Sequence, residues 1–305
     1  MLNKTSRWAP CRGTAGLVVL VTGLALIAGS ALWLALTSGG EIRYTSDHAG
    51  TRPMWHVWIP VLAGLVLTWL MPSPPRAAAV SGPSAGRALH LQAGVLLASA
   101  VVFAVALRLV TGGGHAPEPA YTILKVVLLL AVPMLLFRLT GRDAVQREAV
   151  RERPDVRHRS WHRYGPAVPV AAWIVLSQIG PFAQPSGEGD RTAGLDLVTL
   201  LIVMIVVFAV NALLEEVFYR RWLQTRWEHV IGPLPAVVLA SLLFAAWHIG
   251  IHGTGHLPTD LATVFVNQGA QGLFLGFLWS RYRLMWPILT VHGVLNAGSV
   301  LLDML

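Results

Sequence analysis

The chain has 305 residues, of which 54% are hydrophobic and 12% charged, with a formal charge of +8 and a mean hydropathy of +0.59. Soluble domains carry about 25% charged residues. These values exclude a water-soluble domain and predict an all-α, polytopic integral membrane helix bundle. The positive charge does not indicate nucleic-acid binding, because the basic residues fall in alternate loops between apolar runs.

Lys4, Arg7 and Arg12 precede the first run, 14–37. That run is too long for the apolar core of a signal peptide and reads as an uncleaved span. Cys11 is the one cysteine, so no internal disulfide can form. Further runs follow at 55–72, 88–111, 121–138, 167–183, 195–214, 234–251, 259–280 and 285–303. A spanning helix needs roughly 20 apolar residues, about 17 at the low end. Nine transmembrane helices are expected; eight are possible, because the fifth and seventh runs are short. Nine spans keep the basic loops on one side: Arg76 and Arg87 after the second run, Arg138 through Arg163 after the fourth, Arg220, Arg221 and Arg226 after the sixth, and Arg281 and Arg283 after the eighth. The intervening loops are neutral or acidic, as with Glu118, or Glu188 and Asp190 against Arg191. This places the N-terminus in the cytoplasm and the C-terminus outside a multi-pass cell membrane. Lysine occurs only as Lys4 and Lys125, and the arginine- and alanine-rich usage suggests a bacterial source.

The polar residues divide the chain. Residues 1–164 hold four spans with almost no internal ionisable group. Arg108 and Lys125 are the exceptions, each near a run's end and able to snorkel. The basic loop 138–164 is either a solvated connector or a surface helix on anionic lipid. Residues 165–305 hold five spans and nearly all the intramembrane polar groups.

Glu215 and Glu216 stand side by side at the end of the run 195–214. A single mid-membrane charge costs about 2.5–3.5 kcal/mol even on the lenient scale. Arg220, four residues after Glu216, can pair with it on one helix face. The next ionisable group inside a span is His248, and the helix breaker between them is Gly232-Pro233-Leu-Pro235. If that is a hairpin turn, Glu215 and His248 both lie about 25 Å from it, at equal depth. In the last run His292 and Asn296 share one helix face about 6 Å apart, a donor pair suited to an oxyanion. Each group also has a purely structural reading: the acids as a water-interface mark, His248 as a bonded core group, His292 and Asn296 as interhelical glue. Gly272 and Gly276 read as a small-residue packing face. His252 and His256 sit among glycines and read as an outside loop rather than a metal site. His-Glu-x-x-His, the helical zinc-protease pattern, is absent.

Taken in order, Glu215-Glu216-x-x-x-Arg220, then Phe244-x-x-x-His248, then His292-x-x-x-Asn296 resemble the CPBP family, the CAAX prenyl endopeptidases and bacteriocin-processing or immunity proteins. The resemblance covers about residues 195–305. It implies an intramembrane endopeptidase acting on membrane-embedded or lipidated peptide substrates. Glu215 would be the general base, His248 would position water or shuttle a proton, and His292 with Asn296 would stabilise the oxyanion. Glu216 and Arg220 would support the site. The cofactor is none or zinc; a zinc ion would take Glu215, His248 and His292 as ligands, whereas Asn296 suits metal-free hydrolysis better. Two other functions compete: a non-catalytic immunity or scaffold protein of the same fold, and a transporter, which the apolar first four spans disfavour. Hydropathy alone sets Glu215 and His248 at opposite membrane faces. Equal depth therefore requires a long, tilted helix through about residue 228, with its arginines snorkelling or the bilayer locally thinned, and a site cavity open to the cytoplasmic side.

Overall fold

A computed structural model describes residues 11–45, 48–72, 83–112, 118–140, 161–180, 182–183 and 196–303. Lys4, Arg7, Arg76, Arg142 through Arg159 in the basic loop, the loop residues Glu188 to Arg191, and the side chains of Glu118 and His252 lie outside that description. Of the described residues 87% are helical, as the composition required.

Helix α1 is Gly13–Ser38. A short antiparallel hairpin follows, β1 Glu41–Thr45 with β2 His48–Pro53, Ile42 opposite Arg52. The run pattern did not predict it: five-residue strands between spans leave no hydropathy signature. Then come α2 Trp55–Leu70, α3 Pro83–Thr111, α4 Pro119–Thr140 and α5 Ala167–Ile174. The carboxy-terminal part consists of α6 Leu197–Ile231, α7 Pro233–Ala246, α8 Leu257–Tyr282 and α9 Met285–Asp303. Six of the nine expected runs are carried by helices long and apolar enough to cross a membrane. The run at 55–72 forms a shorter apolar helix.

The ends of α6 and α7 follow from local chemistry. Asp196 caps α6, its carboxylate accepting from the Val198 and Thr199 amides at 3.0 and 3.1 Å. The Thr199 hydroxyl also donates to it, and these bonds hold its carboxyl below the usual value. α6 then runs 35 residues, well past the end of its apolar run. Gly232, at φ 97° and ψ 166°, stops it in a conformation that a Cβ disfavours. Pro233 opens α7 in the first turn, where its missing N–H costs nothing. The two helices are thus the antiparallel hairpin that the Gly-Pro signal implied.

Two cores pack across residue 164. In one, Leu34, Ile42 and Val61 meet Trp173, Phe274 and Ile288. In the other, Leu96, Phe103 and Leu129 meet Phe218, Phe244 and Trp247. Gly272 and Gly276 are a packing face: an added Cβ would lie 3.0 Å from Ser241 and 2.9 Å from Gln224 Oε1. By contrast, Leu197–Val207 buries no residue within the bundle, and its apolar side chains suit lipid.

The second half of α6 stays inside the bundle, but not by snorkelling. Arg226 is buried and donates to Gln92 Oε1 on α3 at 2.7 Å and to the Trp222 carbonyl at 3.1 Å. Gln224 donates to the Gly276 carbonyl and to Glu228, both at 2.8 Å, and Glu228 pairs with Arg283. Internal partners replace water because a buried polar group left unpaired costs more than the ordering of its partner.

Gly16 of α1 lies against the hairpin turn. A Cβ there would stand 2.3 Å from the Ile231 carbonyl oxygen, a backbone atom that cannot swing away. Gly16→Ala is therefore expected to destabilise the protein by about 1–3 kcal/mol. Thermal unfolding in detergent reads this, and an unchanged midpoint would show that α1 does not pack there.

Candidate active site

Glu215 and Glu216 lie between two π-helical stretches, Phe208–Leu213 and Val217–Gln224. Neighbouring residues on a helix point about 100° apart, yet both acids are buried, Glu215 2% exposed and Glu216 0%. Such wider turns are frequent at functional sites, and here both carboxylates face the bundle.

Each acid has its own cation. Glu216 Oε2 lies 3.4 Å from Arg220 Nε, one turn on, and both are fully buried. The pairing expected from spacing is present. The Arg220 guanidinium also sits 4.9 Å over the Phe244 ring, an apolar face that favours a desolvated cation. Glu215 is paired with Lys125 of α4 through Oε1.

Lys125 therefore does not snorkel. It is fully buried, and its ammonium also donates to Asn211 Oδ1 at 2.6 Å and the Tyr121 hydroxyl at 2.5 Å. A buried carboxylate attracts an ammonium far more strongly than the screened interface does. Two spacings carried the signal: Tyr121 to Lys125, and Asn211 to Glu215, each four residues. Neither identifies its partner without the tertiary contact.

His292, buried on α9, reaches both acids. Its Nδ1 bonds Glu216 Oε1 at 2.7 Å, and its Nε2 lies 3.8 Å from Glu215 Oε2. A carboxylate only accepts, so Nδ1 carries the proton, and in the neutral ring Nε2 keeps its lone pair toward Glu215. Asn296, one turn further, is exposed.

His248 follows the end of α7 in the turn before Ile249–His252. Its Nδ1 donates to the Phe244 carbonyl at 2.7 Å, and its ring packs on Trp247 at 3.8 Å between centroids. Phe244 is the hub of the site: its ring lies edge-on to His248 at 4.9 Å, to Tyr219 at 5.6 Å and to His292 at 5.8 Å. One aromatic side chain thus gathers groups from α6, α7 and α9.

Comparison with family models matches residues 197–298 to the family described as Type II CAAX prenyl endopeptidase Rce1-like. This segment is similar to that endopeptidase family. The matched segment contains Glu215, Glu216, Arg220, Phe244, His248, His292 and Asn296, and the match agrees with the CPBP resemblance. Lys125 and Tyr121 lie outside it. The family points to a CAAX-protease-like hydrolase of the membrane. No curated protein and no solved structure gave a significant match.

The donor set around the two acids does not fit a metal ion. Among the described residues no three His, Cys, Asp or Glu side chains converge as ligands. The Lys125 ammonium already faces Glu215, and a second cation there would be repelled at low dielectric. His256 is exposed and bonded to Thr259.

Proposed function

We propose that this protein is an intramembrane endopeptidase that hydrolyses peptide bonds of membrane-embedded or lipidated substrates, with Glu215 as general base. The observation that supports it is the Glu215 carboxylate: Oε1 is held by Lys125, while Oε2 is buried, has no hydrogen-bond partner, and faces His292 Nε2 at 3.8 Å. That gap is too long for a direct bond and suits a water donating to both atoms.

Hydrolysis then balances without a metal. A water proton passes to Glu215 Oε2 as the oxygen attacks the peptide carbonyl. The oxyanion takes a hydrogen bond from the Asn296 amide. Collapse breaks the C–N bond, and the proton on Glu215 passes to the leaving amine. Glu216 keeps His292 in the tautomer that accepts from the water. His248 positions water or relays protons toward the site.

Neo-N-termini in membranes of cells producing the wild type or Glu215→Gln test this reading. A set of termini that disappears in the variant is expected; identical sets, with any phenotype retained, would mean a scaffold rather than an enzyme. Chelator treatment of the purified protein is expected to leave its rate unchanged to within about twofold, whereas loss restored by added zinc would sink the metal-free reading.

A further inference from the structure

We propose that Lys125 is a positioning residue for Glu215, so that the amino-terminal helices complete the active site. This rests on the reading of Glu215 as the base.

An ammonium has three donors, and those of Lys125 go to the Glu215 carboxylate, Asn211 Oδ1 and the Tyr121 hydroxyl. They fix the direction of Nζ. Fixing Nζ in turn fixes which carboxylate oxygen is engaged: Oε1 is bound and Oε2 is left toward His292. A Glu in an apolar span with no such tether has three free torsions, and only some rotamers present an oxygen to His292. Lys125 is fully buried, so its charge is unscreened at the carboxylate it touches.

The same helix also braces the histidine side of the site. The Tyr121 ring stacks on Trp247 at 5.9 Å, and Lys125 Nζ lies 5.1 Å from the Trp247 ring. Trp247 is packed on His248. Asn211, one turn before Glu215 on α6, shares the ammonium with it. α4 therefore touches the base directly and His248 through one ring, although both it and Lys125 precede the matched residues 197–298.

The test uses full-length protein in proteoliposomes and a synthetic peptide spanning a cleavage site whose product depends on Glu215. Lys125→Met is expected to lower kcat per folded molecule about 100-fold with KM within about threefold, as for a base displaced by about an ångström. Lys125→Arg, which restores a cation, is expected to recover at least about tenfold over Lys125→Met. A kcat within about threefold of wild type for Lys125→Met, or equal rates for the Met and Arg variants, would overturn the proposal. If Lys125→Met does not fold, Tyr121→Phe decides. It keeps both charges and removes one tether, and about a fivefold fall in kcat supports positioning while an unchanged kcat refutes it. If no cleavage depends on Glu215, the proposed function itself has failed, and this role fails with it.

Discussion

Glu215→Gln is expected to lower kcat/KM by about 10³-fold, the range for loss of a positioned general base. The amide keeps the size of the side chain but cannot take the water proton. It also leaves the Lys125 ammonium buried against a neutral partner. Removing one member of a buried pair costs about 3–5 kcal/mol, so the unfolding midpoint in detergent should fall as well. The double variant Glu215→Gln with Lys125→Met separates the two effects. It should recover most of the stability and none of the activity. Recovery of activity in the double variant would mean that Glu215 serves only as a counter-ion.

Arg220→Ala has the second large effect. Arg220 is fully buried between Glu216 and the Phe244 ring. Its loss strands the Glu216 charge and opens a void beside the hub aromatic, for about 3–5 kcal/mol. His292 depends on Glu216 for its orientation, so catalysis should fall even in the folded fraction. Adding Glu216→Gln to Arg220→Met should restore stability relative to Arg220→Ala, because the buried charge and the void are both removed. Chemical unfolding of the two variants and the wild type reads this. Equal stability of Arg220→Ala and wild type would show that the ion pair contributes nothing.

Much of this arrangement was legible before any coordinate. The membrane class follows from composition. The α6–α7 hairpin follows from Gly232-Pro233, because only glycine tolerates that φ and proline suits only a helix's first turn. The pairing of Glu216 with Arg220 follows from their spacing on one face. The place of Lys125 near the end of an apolar run favours snorkelling. That reasoning sees one helix at a time, and the partner that reverses it is 90 residues away. Arg226 is held inside the bundle for the same reason, since its acceptor is Gln92 of another helix.

By itself, the sequence determined an all-α membrane bundle, the hairpin that pairs the acid-bearing helix with the histidine-bearing one, and the set of polar residues inside the spans. These depend on hydropathy, helix breakers and spacing within one or two adjacent helices, which are local properties of the chain. Only the tertiary structure decided which groups meet: Lys125 on Glu215, His292 between the two acids, and Phe244 at the centre of the site. In a low-dielectric interior, charge pairing over a few ångströms outweighs the position of a residue along its helix. Such pairings link helices that no sequence period connects.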